Sequence, residues 1–169
     1  MQTVCASEIL DLSFHPKLEI YAVGLLCGRV ELFKYLRGQP SDLKMTLTHH
    51  TLSCRTVNFC PSGDILYTAS SDNCICALST TGHIVWCVNN SPSAAVSASL
   101  PLEPKIFATG DDNGGVALWD IRQQAAVVKF NPQNDYIADM CIDGPGGRLL
   151  AGSGDGTLAV FSLRQRKLL

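Results

Sequence analysis

Two adjacent carboxyls are the residues of this 169-residue chain whose types most suggest chemistry. Asp111 and Asp112 stand in the stretch IFATGDDNGGVALWDIR (residues 106–122), followed by Gly114-Gly115 and by Trp119-Asp120. A carboxyl pair suits general acid–base work when a cleft holds the two groups in different environments. A glycine pair suits a phosphate loop when a helix N-terminus or a lysine follows. Here the acids would repel an anion, and the next lysine is Lys129. Turn chemistry suits the same residues better, because Asp, Asn and Gly favour tight turns between strands.

Other reactive side chains give no catalytic signature. The histidines are His15, His49, His50 and His83, and the sequence has no G-x-S-x-G elbow. The eight cysteines include no C-x-x-C pair. Cys74 and Cys76 alternate with Ile75 and so share one strand face, but a metal site there needs two further ligands, and His83 stands alone. They read as small apolar fillers in a reduced, intracellular protein. No catalytic, metal or cofactor-binding residue is expected, and the chain reads as a non-enzyme.

The elements that carry these residues repeat. From Phe14, fixed offsets reach Gly24, Val30, Leu32 and Phe33. The same offsets from Phe59 reach Ala69, Ile75, Ala77 and Leu78. From Leu100 they reach Gly110, Val116, Leu118 and Trp119, and from Ile142 they reach Gly152, Leu158, Val160 and Phe161. The four origins are spaced by about 42 residues, the size of a propeller blade. Apolar alternation marks short strands. Hairpin signals recur at Ser71–Asn73, Asp111–Gly115 and Gly154–Thr157, and fourth strands fit Leu43–Thr48, His83–Val88 and Ala125–Lys129. The expected fold is all-β: one partial propeller of four four-stranded blades, at about residues 8–48, 54–88, 94–129 and 137–169. Four units are fewer than most such rings have. The last blade is expected to lack its outer strand and the ring to stay incomplete, with apolar faces exposed on the end blades.

Composition narrows the partners. Hydrophobic residues make up 46% and charged residues 17%, with a net charge of −2. No basic surplus suits direct nucleic-acid binding. No apolar run reaches the roughly 18 residues of a membrane span. The cluster Arg164, Arg166 and Lys167 reads as a solvated loop.

The second unit resembles WD-repeat proteins. In that family a histidine, a hydroxyl residue, a turn aspartate and a tryptophan lock each blade by hydrogen bonds. The resemblance places His50, Thr68 and Asp72 in those roles, with Leu78 where tryptophan is usual. The third unit supplies Thr109, Asp111, Asp112 and Trp119, with Ser91 at the histidine position. The fourth supplies Asp155 with Gln133 there, and the first has Cys5. Residues 106–122 are also similar to the W-D-x-R box of cullin-4 substrate receptors. That likeness implies that Trp119, Asp120 and above all Arg122 form a ligase adaptor contact.

Three stretches, Leu12–Pro16, Ala108–Asp120 and Asp135–Asp143, resemble the WD repeat-containing protein 55 family. The resemblance implies a nuclear or nucleolar protein-binding scaffold supporting ribosomal RNA production or processing. Membership of a cullin-4 ubiquitin ligase is the alternative.

Overall fold

A computed structural model of the protein describes residues 2–89, 94–144 and 147–169. Among these residues all regular structure is strand. The first sheet holds β1 (Ile9–Phe14), β2 (Ile20–Leu25), β3 (Val30–Lys34) and β4 (Asp42–Leu47). The second holds β5 (Cys54–Phe59), β6 (Ile65–Ser70), β7 (Cys74–Ser79) and β8 (Ile84–Asn89). The third holds β9 (Val96–Glu103), β10 (Ile106–Asp111), β11 (Val116–Asp120) and β12 (Val128–Phe130). The fourth holds β13 (Ile137–Asp143), β14 (Arg148–Ser153), β15 (Leu158–Ser162) and β16 (Lys167–Leu168). Each sheet is an antiparallel meander, paired in sequence order. This is a propeller architecture with four blades in an open array.

The first strands of successive blades pack side by side, β1 on β5, β5 on β9 and β9 on β13. Each carries a register shift near its start, which leaves Leu10, Arg55, Ser97 and Ala138 bulged. A bulge re-aims the strand it interrupts, and all four residues line one concave face of the array. Side chains on these strands also tie blade to blade. Asp11 Oδ2 accepts the Val57 amide at 2.8 Å, and Ser13 Oγ accepts the Phe59 amide at 3.1 Å. Ser97 Oγ donates to the Ile137 carbonyl at 2.7 Å.

The core lies mainly between blades, because each half-buried sheet face needs a neighbour to cover it. Trp86, Tyr67, Phe107 and Trp119 form one cluster across the second and third blades. Ile137, Leu149, Phe161 and Leu118 form another across the third and fourth. The first blade leaves its first strand largely open: Phe14 is 58% exposed and Leu12 53%. Tyr21 and Phe33 stack within it at 5.3 Å.

Three details differ from the sequence reading. The last blade does have an outer strand, β16, which pairs Leu168 with Phe161 and Lys167 with Ser162. Two residues are too few to show a period, and Lys167 therefore sits in a strand rather than in a loop. The outer strand of the third blade is the short Val128–Phe130, later than Ala125–Lys129. Finally, Pro101 rather than Leu100 faces Phe107. The counterpart of Phe107 in the second blade is Leu66, which faces Phe59. The third unit thus runs one residue out of the gapless alignment in its first strand. The connection from Pro101 to Phe107 is one residue shorter than that from Phe59 to Leu66, which brings β10 back into the repeat alignment.

Candidate functional site

The hairpin turns that lock the blades come first, because they decide what Asp111 and Asp112 do. Asp111 ends β10 and is buried; its Oδ1 accepts the amides of Asn113 at 2.9 Å and Gly115 at 2.8 Å. Gly114 has φ +78°, and a Cβ there would lie 2.3 Å from the Gln133 carbonyl oxygen. The turn therefore needs glycine both for its conformation and for the close approach of the chain entering the next blade. Asp112 points elsewhere: its Oδ2 receives Arg55 Nη1 of the second blade at 2.6 Å. The two acids serve architecture in different directions. The repeat position that holds Asp72 and Asp155 in the second and fourth blades holds Asn113 in the third.

The second blade is locked around Thr68. His50 Nδ1 lies 3.3 Å from Asp72 Oδ2, and its Nε2 lies 2.9 Å from Thr68 Oγ1. Asp72 also accepts the amides of Thr51 and Cys74, each at 2.9 Å. Against the cost of burial, these bonds and the His50 ring hold its carboxyl below the usual carboxylate range. The carboxylate only accepts, so His50 Nδ1–H donates to it, and His50 Nε2 accepts from the Thr68 hydroxyl. His49 Nε2 also lies 2.9 Å from Thr68 Oγ1. With the hydroxyl proton already used, His49 Nε2–H must be the donor. This second imidazole does for Thr68 what an indole does for Thr109: Trp119 Nε1–H donates to Thr109 Oγ1 at 2.8 Å. Leu78 stands where the indole would be, and sequence reasoning gave His49 no role. The missing tryptophan beside a His-His pair was the available signal.

The fourth blade has no hydroxyl at this place, which is Ala151. Gln133 Nε2 instead donates to the carbonyls of Ala151 and Thr157 at 3.2 and 3.0 Å. Asp155 accepts the amides of Asn134 and Thr157, each at 2.9 Å, and these bonds lower its carboxyl to about 2. Ser91, at the histidine position of the third unit, lies outside the described residues.

The exposed chemistry gathers at the other end of the strands. Trp119 is fully buried and Asp120 nearly so, while the Arg122 side chain is 62% exposed. Arg122 Nε donates to both Asp120 oxygens at 2.8 and 3.0 Å, and its backbone amide reaches Oδ1 at 3.0 Å. That fork fixes the guanidinium at the blade edge. Arg164 follows Phe161 as Arg122 follows Trp119. Both arginines, with Arg166, Leu102, Ile142 and Leu163, line a groove of about 440 Å³ between the third and fourth blades. The geometry offers directed cationic donors beside apolar wall, a combination suited to a protein segment carrying acidic and apolar side chains.

Similarity to known proteins agrees with this architecture. The WD domain, G-beta repeat family matches residues 41–77 and 74–120. Human WD repeat-containing protein 55 is 35% identical over 92% of this chain and 41% of its own length. The Arabidopsis thaliana protein of the same name is 33% identical over 99% of this chain and 48% of its own. The chain thus spans less than half the length of these relatives. Among solved structures, Sqt1 of Chaetomium thermophilum superposes with a TM-score of 0.83 at 21% identity, covering 95% of this chain and 46% of that one. Sqt1 bound to the N-terminus of the ribosomal protein L10 superposes at 0.82. With four meander sheets, hydrogen-bonded blade locks and these matches together, the chain belongs to the WD-repeat proteins and is similar to WD repeat-containing protein 55 over part of that protein's length.

Proposed function

We propose that the protein is a non-enzymatic scaffold that presents blade-edge surfaces to protein partners in the nucleus or nucleolus, in support of ribosomal RNA production or processing. The observation that carries the reading is the match to WD repeat-containing protein 55 across 92% of the chain. The buried, bonded state of Asp111 and the inter-blade ion pair of Asp112 support it further, because they give both acids structural work. The Sqt1 neighbour, solved with a ribosomal protein N-terminus, supports a ribosomal protein or assembly factor as the partner class. Depleting the protein and pulse-labelling RNA tests the reading. Precursor ribosomal RNA should accumulate and should clear when the protein is restored. Unchanged processing would overturn it.

A second reading is favoured by Arg122. Its exposed guanidinium, clamped by Asp120, supports docking to the adaptor of a cullin-4 ubiquitin ligase, with the buried Trp119 as the base of the clamp. An adaptor pull-down with wild type and Arg122→Ala separates the two readings. Adaptor recovery should fall sharply in the variant, and equal recovery would remove the ligase reading.

A further inference from the structure

The second blade gathers more metal-ligating atoms than its lock requires. A ring nitrogen of His49, a ring nitrogen of His50 and Cys76 Sγ all lie within 4.8 Å of one another. Cys76 faces Cys87 directly across β7 and β8, with the sulfurs 2.6 Å apart. His50 and Cys76 are buried, whereas Cys87 is partly exposed and gives access from solvent. One atom has no structural use: His49 Nδ1 is buried and unpartnered among the described residues. The hydrogen-bond order from Asp72 through His50 and Thr68 puts the proton of His49 on Nε2. The orphan Nδ1 is therefore a bare lone pair.

We propose that His49, His50, Cys76 and Cys87 form a binding site for zinc or a similar soft divalent ion. The donor set is two imidazoles and two thiols, the composition of closed tetrahedral zinc sites. Asp72 on His50 Nδ1 supplies the carboxylate–histidine arrangement that orients a metal-bound imidazole through its other nitrogen. Two thiolates bound at about 2.3 Å by a tetrahedral ion sit about 3.8 Å apart. A side-chain rotation of the partly exposed Cys87 opens that distance, while Thr68 releases the His50 nitrogen. The ion would displace both thiol protons to solvent, giving a neutral four-ligand centre beside Asp72.

A cross-strand disulfide is the rival use of the two sulfurs. It leaves the orphaned His49 nitrogen without a partner among the described residues.

Cobalt titration of the reduced, metal-free chain tests the site. One equivalent should give the intense visible bands of tetrahedral cobalt with thiolate-to-metal charge transfer, and zinc should erase both. Cys76→Ser, Cys87→Ser and His49→Gln should each weaken binding by about a hundredfold or more, beyond what loss of an orienting partner costs. Cys74→Ser, on the same strand, should bind normally. Zinc should also raise the melting temperature of wild type but not of Cys87→Ser, whose partly exposed side chain makes folding insensitive to the change. The site is overturned if folded wild type shows no tetrahedral bands. It is equally overturned if Cys87→Ser keeps both the bands and the zinc-induced thermal shift.

Discussion

The second and third blades place a threonine at the same point and satisfy it by different means. Thr109 takes one indole proton from Trp119 on its own sheet. Thr68 sits between two imidazoles that arrive on the segment linking β4 to β5. The third blade is thus locked from within, by a strand residue packed in the core. The second is locked from its entry segment, by groups that hydrogen-bond in series to Asp72. A repeat position specifies the need for a partner at that hydroxyl. Which residue meets the need depends on what the neighbouring positions leave open, and Leu78 leaves room for His49.

Truncating the internal lock should break the comparison most strongly. Trp119→Ala removes a fully buried indole from the cluster shared by the second and third blades, and should cost about 3–5 kcal/mol in denaturant unfolding. Leu78→Ala in the second blade should cost less, because its side chain is smaller and donates no hydrogen bond. Equal losses would mean that the two blades are not locked differently. Replacing the threonines sharpens the point. Each buried group left unpaired costs about 1–3 kcal/mol. Thr68→Val strands two imidazoles and Thr109→Val one indole, so the Thr68 variant should be the less stable of the two.

The link between these blades should matter less than either lock. Arg55 and Asp112 are both partly exposed, and Arg55→Ala should shift stability by under about 1 kcal/mol, an effect that weakens in high salt. The smallest effect belongs to the exposed turn of the fourth blade. Asp155 is lowered from its ordinary 3.8 to about 2 by the bonds it accepts. Its contribution is present above the ordinary value and is lost as pH falls through about 2. Asp155→Asn should therefore lower stability slightly at neutral pH, leave it unchanged below about pH 2, and so flatten the acid limb of a stability–pH curve.

Strand order and blade number were legible in the sequence because they rest on local signals. Alternating apolar residues and Asp/Gly turns recur with one spacing, and no distant contact is needed to read them. The register of β9 was not legible. A one-residue displacement of the whole strand and a connection to β10 that is one residue shorter cancel, so the offsets downstream look undisturbed. The roles of Asp112 and His49 were hidden for another reason. Arg55 is far from Asp112 in sequence, and the place of His49 depends on a tryptophan that is absent. Cys76 read as an apolar filler and Cys87 had no role until strand pairing set them face to face. Arg122 was readable as an exposed arginine, but its clamp by Asp120 and its companion Arg164 emerge only when the third and fourth blades stand together.

The ties between first strands carry a direction. Asp11 and Ser13 accept protons from the amides of Val57 and Phe59, residues that follow them by roughly one repeat. Ser97 likewise reaches the backbone of Ile137, so during synthesis the side chains of these ties are made before the backbone groups they bind. A growing chain can complete its first sheet and hold those side chains ready as the next strand emerges from the ribosome. Assembly then proceeds as a zipper that runs from N- to C-terminus, each sheet serving as template for its successor.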